Sequence, residues 1–322
     1  MSATGTAAPA LPHSSLNAAG PLAGRYQLRE RLGRGAAAEV FRAVDLEGGP
    51  EVAVKIAAAS GRKQHQRIRN EASVLAGLTH PSIVRLLGQG VVGGGGTHAG
   101  RPYLVEELAL GATLSETLRL ESPTPADVAL WARGLFGALA YLHSNGLVHR
   151  DIKPANLMLS GLRRSPVRII DFGIATATGS APEPGISSGT VHYMSPEQAS
   201  GGAADPSWDV YAMGLVLLEL LTGTKAFPGT AIESLVARTL RSPDVPGHLG
   251  GWVALLRSVT AMDPRERPAA ADAAAMAARL VPGAPSRSPG VQGVRGSLPG
   301  GIDARPCPAL RARPSRRHRQ QA

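Results

Sequence analysis

The segment His149–Asn156 carries the polar residues whose types and spacing best suit chemistry. It reads His-Arg-Asp-Ile-Lys-Pro-Ala-Asn. Asp151 could orient an attacking hydroxyl group and accept its proton, and Lys153 could offset negative charge on a transferring phosphoryl group. Asn156 could hold Mg²⁺ through its amide oxygen. The alternative is a polar loop that holds these residues by chance, which would require several exact residue types in one order.

A second candidate metal ligand, Asp171, follows a short apolar run. Residues 167–170 read Val-Arg-Ile-Ile, and Asp171-Phe172-Gly173 comes directly after them. A carboxylate at the end of a strand suits a metal ligand. The tripeptide alone would be a common coincidence, but it begins fifteen residues after Asn156. That position argues against coincidence.

Two weaker patterns lie nearer the N terminus. Residues 32–40 read Leu-Gly-Arg-Gly-Ala-Ala-Ala-Glu-Val, and their glycines would let a hairpin backbone lie close to phosphate oxygens. Taken alone, an ordinary Gly-rich turn is the simpler explanation. Lys55 ends the run Val52–Lys55 and could neutralise phosphate charge if a carboxylate such as Glu71 fixed its direction. A solvated lysine and a glutamate on a helix surface are the alternative.

Hydrophobic periodicity predicts the elements that would position these residues. Val52–Ile56 is a β-rich run, and a glycine run at 93–96 reads as a hairpin loop between strand candidates at 83–87 and 103–105. The predicted helices cover residues 64–78, 126–144, 208–221 and 268–280, with Gly223 ending the third. The layout is a small β-rich lobe, a connector near 106–111 and a larger helical lobe.

The four patterns occur in the order and spacing of the protein kinase family, which the chain resembles over roughly residues 25–282. Ser195-Pro196-Glu197 stands where that family has its A-P-E motif. Arg267 resembles the late arginine that pairs with Glu197. The Gly189-Thr190 segment is similar to the bacterial (Hanks-type) serine/threonine branch.

The resemblance implies an α+β, bilobal, protein-kinase-like fold with the nucleotide in the cleft between a small β-rich N-lobe and a larger helical C-lobe. The bounds expected from it are an N-lobe at 25–105, a hinge at 106–111 and a C-lobe at 112–282. Composition alone predicts a disordered leader at 1–24, which has few large apolar residues, and a disordered basic tail at 283–322, which is rich in Pro, Gly, Ser and Arg.

The resemblance also implies a role for each matching residue. Asp151 would be the base, assisted by Lys153, and Lys55 would contact the α- and β-phosphates of ATP while pairing with Glu71. Asn156 and Asp171 would hold Mg²⁺. The residues expected to contact the nucleotide are Leu32, Gly33, Gly35, Val40, Ala53, Lys55, Glu107 and Met158.

The implied function is transfer of the ATP γ-phosphoryl group to Ser/Thr hydroxyls of protein substrates. Lys153 and Thr190 are typical of enzymes with such acceptors. Arg150 would receive a phosphate from the activation loop, with Ser187 and Ser188 as the favoured sites, although loops are rich in hydroxyl groups for other reasons. A pseudokinase that acts as a nucleotide-binding scaffold is the alternative.

Three positions depart from the family pattern. Ala38 replaces the third glycine of the phosphate loop, which would stiffen it. Glu106 falls at the gatekeeper position, where it would either compete with Glu71 for Lys55 or help to fix Lys55. Thr113 replaces an acidic residue, so specificity for arginine upstream of the acceptor is not supported.

Charge and cysteine content bear on partners and location. The net charge is +10, but residues 283–322 hold eight Arg and one Asp. The basicity therefore belongs to the tail, in which no aromatic residues interleave, and nucleic acid is not an expected partner. The single cysteine, Cys307, fits a reducing cytosol, and the longest apolar run, 213–221, is too short to span a membrane. We therefore expect a cytoplasmic protein.

Overall fold

A five-stranded antiparallel sheet forms the N-terminal part of the protein. The computed structural model describes residues 20–160, 166–181 and 191–283. The strands are β1 (Tyr26–Arg34), β2 (Ala38–Asp45), β3 (Val52–Ala57), β4 (Leu86–Val91) and β5 (Pro102–Glu107). They lie in the order β1-β2-β3-β5-β4. Central β3 is buried along its whole length, as its run of Val, Ala and Ile predicts.

The two faces of the sheet pack against different partners. Alternate residues of β3, beginning at Val52, join an apolar cluster with β2 and β5 on one face. Ala57 belongs to the other face and packs against helix α1 (Arg62–Ala76). Side chains alternate along a strand, so Lys55, two residues before Ala57, lies on this second face. The sheet thus presents Lys55 towards α1.

The C-terminal part is mainly helical. Its helices are α2 (Leu114–Leu120), α3 (Pro125–Ser144), α4 (Pro196–Ala199), α5 (Pro206–Thr222), α6 (Ala231–Leu240), α7 (Trp252–Val259) and α8 (Ala270–Ala278). Short strands pair as β6 (Leu147–Val148) with β9 (Thr176–Ala177) and as β7 (Leu157–Leu159) with β8 (Val167–Ile169). Helices α3, α5, α7 and α8 share one large apolar cluster.

Local sequence explains where the two central helices begin and end. Thr124 and Asp127 form a reciprocal capping box at the start of α3, and Asp205 caps α5. Gly223 ends α5 with a φ of 73°, a left-handed conformation that glycine adopts without steric cost. These local signals set the ends of α3 and α5, the two helices that pack next to the loop at 149–156.

The observed elements confirm most of those predicted. The strands at 52–56 and 103–105, the glycine loop between β4 and β5, and the four helices are present. The strand predicted at 83–87 exists but begins later, because β4 runs from Leu86 to Val91. Ile83 and Val84 are instead buried in the core of the helical part.

The α+β class and the bilobal arrangement are confirmed by the sheet and the helical part that follows it. The bounds of the leader, hinge and tail stay predictions, and Leu22 is buried in the apolar cluster of the sheet. Across the described ranges, no helix combines the length and the apolar composition needed to cross a membrane.

Candidate active site

Lys55 and Glu71 meet between the sheet and α1. Lys55 Nζ donates to Glu71 Oε1 at 2.6 Å, and Glu71 is 3% exposed. Glu71 lies on the buried face of α1, one turn before Leu75. The apolar face of the helix therefore aims a carboxylate at the only cation on the facing stretch of β3.

Asp171 completes this cluster from the C-lobe. Lys55 Nζ donates to Asp171 Oδ1 at 2.8 Å, and the backbone N–H of Gly173 donates to the same oxygen at 3.1 Å. Asp171 has a φ of 68°, in the left-handed region that aspartate adopts more often than most other non-glycine residues. The Phe172 N–H donates to Glu71 Oε1 at 3.2 Å. One lysine and two carboxylates thus connect the two lobes.

The charges in this cluster support one another. The ammonium of Lys55 holds the pKa of Asp171 well below its usual range. Burial disfavours the charged form of Lys55, but Asp171 and Glu71 outweigh that effect and raise its pKa above the usual value. Burial raises the pKa of Glu71, and the ammonium opposes that shift.

Asp151, Lys153 and Asn156 lie together in the loop after β6. Lys153 Nζ donates to Asp151 Oδ2 at 2.8 Å. Asn156 Nδ2 donates to that oxygen at 2.9 Å and to the Asp151 backbone carbonyl at 2.9 Å. A single 3₁₀ turn, Pro154–Asn156, brings Asn156 back towards Asp151. The loop therefore orients one carboxylate with two donors.

The loop is anchored by Asp209, a residue to which sequence reasoning assigned no role. The backbone N–H groups of His149 and Arg150 each donate to its carboxylate at 2.8 Å, and His143 Nε2 lies 3.0 Å from it. Burial alone would raise the pKa of Asp209, but these hydrogen bonds lower it. The segment Trp208–Gly214, which contains Asp209, resembles the start of the central buried helix of the protein kinase family.

Arg150 connects the loop at 149–156 to both ends of the segment 171–197, which is the predicted activation loop. Its Nε donates to the Ile174 carbonyl at 2.6 Å, and its own carbonyl accepts from Gln198 Nε2 at 3.0 Å. Ser187, Ser188 and Thr190 lie outside the described residues. The predicted phosphate contact of Arg150 therefore stays a prediction.

The residues expected to contact the nucleotide lie on five strands or directly after one of them. Leu32, Gly33 and Gly35 belong to or follow the end of β1, Val40 belongs to β2, Ala53 and Lys55 to β3, Glu107 to β5 and Met158 to β7. Gly33 lies opposite Val40, and the Gly35 N–H donates to the Ala38 carbonyl at 2.8 Å, which closes the turn. Arg168 engages the Glu107 carboxylate at 2.8 Å, so we expect any nucleotide contact there to use the Glu107 backbone.

Glu106 is buried beside the cluster, and one of its carboxyl oxygens has no hydrogen-bond partner among the described residues. It is 8% exposed, and its Oε1 accepts no hydrogen bond from the described residues. The hydrogen bonds of the Lys55 ammonium go to Glu71 and Asp171. Burial, followed by repulsion from Glu71, raises the pKa of Glu106 to about 8.

We expect Glu106→Gln to stabilise the protein increasingly as the pH rises from about 5 to 8. Below the pKa that Glu106 has in the unfolded chain, its carboxyl group keeps the proton in both the folded and the unfolded protein. Between that value and about 8, the unfolded chain has released it and the folded chain has not, so the wild type loses about 1.4 kcal/mol per pH unit relative to the variant. Urea unfolding of both proteins across this range measures the difference, and parallel pH curves would contradict the prediction.

A further ion pair, between Arg267 and Glu197, joins α4 to the helical core. Arg267 Nη2 and Nη1 donate to the two carboxylate oxygens of Glu197 at 2.7 and 3.0 Å. The guanidinium lies over the Tyr211 ring, 4.6 Å from its centroid. The predicted pairing of Arg267 with Glu197 is confirmed, and it fastens the start of α4 to the helical core.

The oxygens near the cluster suit Mg²⁺. Asp171 supplies a carboxylate whose low pKa keeps it ionised, and Asn156 supplies an amide oxygen while its nitrogen is engaged by Asp151. Among the described residues, no group of three His, Cys, Asp or Glu side chains could hold a metal. Mg²⁺ commonly binds one or two protein ligands together with substrate phosphates and water, so two oxygens fit this ion.

Comparison with known proteins defines the class of the chain. The family described as "Protein kinase domain" matches residues 26–277. That match covers the sheet, the cluster around Lys55, the loop of Asp151 and the helical core. The chain belongs to the protein kinase family.

The relatives it resembles are bacterial serine/threonine kinases. It is 38% identical over 233 residues to "Serine/threonine-protein kinase PknB" of Mycobacterium leprae (strain TN), covering 70% of this chain and 37% of the relative. It is 35% identical over 261 residues to "Serine/threonine-protein kinase PrkC" of Bacillus subtilis (strain 168), covering 76% of this chain and 39% of the relative. The matched region thus spans less than half the length of these curated relatives.

Proposed function

We propose that this chain is a serine/threonine protein kinase that transfers the ATP γ-phosphoryl group to Ser and Thr hydroxyl groups of proteins. One observation carries the proposal. Lys55 joins Glu71 of the N-lobe to Asp171 of the C-lobe, while Asp151 is held by Lys153 and Asn156. This is the set of groups that phosphoryl transfer requires.

The N-lobe residues would hold the nucleotide. Leu32, Val40, Ala53 and Met158 would enclose the adenine, and the turn at Gly33 and Gly35 would cover the phosphates. Lys55 would offset charge on the α- and β-phosphates, with Glu71 fixing its direction. Asp171 and Asn156 would hold Mg²⁺, which supplies charge neutralisation on the phosphate oxygens when bound.

The C-lobe residues would act on the acceptor. Asp151 would accept the hydroxyl proton of a Ser or Thr side chain, and Lys153 would stabilise the charge that develops on the transferring group. The hydrogen bonds from Lys153 and Asn156 leave the Asp151 carboxylate oriented before the substrate arrives. Preorganisation of this kind lowers the barrier because little rearrangement remains.

Ser/Thr acceptors are supported by Lys153 and by Thr190 in the sequence. Autophosphorylation of the activation loop at Ser187 or Ser188, read by Arg150, belongs to the same proposal. No observation favours the scaffold alternative, since Lys55, Asp151 and Asp171 are all present. A cytoplasmic location is likewise a proposal, based on cysteine content.

Transfer itself is the direct test. We expect the protein, incubated with Mg²⁺ and γ-labelled ATP, to incorporate label into itself and into a general protein acceptor. Acid hydrolysis should then release labelled phosphoserine and phosphothreonine. Label confined to phosphotyrosine would contradict the acceptor class, and ATP binding without incorporation would favour the scaffold alternative.

A further inference from the structure

The orphaned carboxyl group of Glu106 is the feature that the proposed mechanism leaves unexplained. It lies on β5, is 8% exposed, and its Oε1 accepts no hydrogen bond from any described residue. Burial of a carboxyl oxygen without a donor costs free energy. A group retained at such a cost calls for a partner that the protein alone does not supply.

Strand register places Glu106 beside Ala53, on the face of the sheet that also carries Lys55. In the β3–β5 pairing, Glu106 lies directly opposite Ala53, and Leu104 lies opposite Lys55. Opposite residues of an antiparallel pair share a face, as do residues two apart on one strand. Glu106 therefore shares the face that carries Ala53, expected against the adenine, and Lys55, expected on the phosphates.

The charged neighbours agree with this location. The groups that influence the titration of Glu106 are Glu71 of α1, Lys55 of β3 and Asp171 after β8. On the other neighbouring strand, β4, the residue opposite Glu106 is the apolar Leu86. The Glu106 carboxyl thus lies towards the cleft and not towards the apolar cluster on the other face of the sheet.

Among the residues that the structure describes, the donors of the cluster next to Glu106 bind other groups. The Lys55 ammonium donates to Glu71 and Asp171 at 2.6 and 2.8 Å. The backbone N–H groups of Phe172 and Gly173 donate to Glu71 and to Asp171. A donor carried by a bound ligand is therefore the partner that would satisfy the carboxyl group.

We propose that Glu106 is a specificity-determining residue that accepts a hydrogen bond from the 6-amino group of the adenine of ATP. The inference rests on the proposed ATP-dependent function and deepens it. The chemical class recognised is an amino group on a heteroaromatic base. A purine that lacks this group would leave the buried oxygen without a donor.

The protonation state of Glu106 is compatible with this role. Burial raises its pKa to about 8, so the group is largely a neutral acid at pH 7. A neutral carboxyl group presents an acceptor oxygen beside an O–H donor, which matches an amino group beside a ring nitrogen acceptor. The carboxylate form also accepts from an amino group, so recognition persists on both sides of that pKa.

The test compares two nucleotides that differ only in this amino group. Dissociation constants of ATP and of purine riboside 5′-triphosphate, which has hydrogen at position 6, are measured by calorimetry for the wild type, Glu106→Leu and Glu106→Gln. We expect the preference of the wild type for ATP to exceed that of Glu106→Leu by about tenfold. Glu106→Gln, whose amide oxygen still accepts, should keep most of the preference.

Controls separate this inference from the proposed function. Val105→Ala removes buried volume from the same strand on the opposite face and should keep the wild-type preference, and Glu106→Met replaces Glu106→Leu if the latter fails to fold. Equal preferences in the wild type and the apolar variant, with ATP bound by both, would overturn the role of Glu106 and leave the kinase assignment intact. Absence of ATP binding by the wild type would overturn both.

Discussion

Asp151→Asn is expected to reduce phosphoryl transfer by about 100- to 10,000-fold, the range typical of a lost general base. The amide keeps the size of the side chain, and one oxygen can still accept from Lys153 or Asn156, which donate at 2.8 and 2.9 Å. What it loses is the ability to accept the proton of the attacking hydroxyl. ATP binding should remain close to that of the wild type, because Lys55, Glu71 and Asp171 are unchanged.

Initial rates of label incorporation, with ATP affinity measured separately, check this expectation. Asp244→Asn is a matched control, since it makes the same chemical change at an exposed position of the C-lobe. It should transfer phosphate at the wild-type rate. If the Asp151 variant and the wild type incorporate equal amounts of phosphate, the assignment of the base is wrong.

The residues of the site could be predicted because their types and order are set by chemistry. A lysine on a buried strand, a glutamate on the next helix and a carboxylate after a later strand are each visible in the sequence. Their meeting within 2.8 Å depends on α1 packing its apolar face on β3, which its periodicity already indicated. The pairing of Arg267 with Glu197 followed in the same way from motif position.

Contacts between distant segments were harder to predict. The Asp209 carboxylate accepts hydrogen bonds from two backbone N–H groups that lie 60 and 59 residues earlier in the chain. The resemblance of Trp208–Gly214 to the start of the family's central helix did not indicate these contacts. Ile83 and Val84 have the composition of a strand, yet they complete the core of the other lobe. Hydrophobic pattern indicates that a residue is buried, whereas tertiary packing decides against which element it is buried.

The hydrogen bonding of Glu106 could not be predicted from the sequence either. The sequence placed it near Lys55, either as a competitor of Glu71 or as a further acceptor. In the structure the Lys55 ammonium donates to Glu71 and Asp171, and Glu106 is left with a raised pKa and an orphaned oxygen. Neither alternative describes that geometry, because tertiary contacts decide which donors are already engaged and which oxygens are left without one.

Lys55→Met is expected to lower phosphoryl transfer by at least about 100-fold, as removal of a preorganised charge-stabilising group does. The change also removes the cation shared by Glu71 and Asp171 and leaves two carboxylates facing each other beside Glu106. Loss of one partner from a buried ion pair costs about 3–5 kcal/mol, so we expect a lower free energy of unfolding at neutral pH. Lys55→Arg keeps the charge and should retain most of the stability while still impairing transfer.

The pH dependence of stability distinguishes this mechanism from simple loss of packing. Lys55 holds the pKa of Asp171 below its unfolded value, so the pair contributes stability above that unfolded value, and the contribution is lost as the pH falls through the folded pKa. The stability gap between the wild type and Lys55→Met should therefore be largest near pH 7 and narrow in acid. Chemical unfolding of both proteins from neutral to acidic pH measures the gap, and a gap independent of pH would attribute the loss to packing and not to the charge of Lys55.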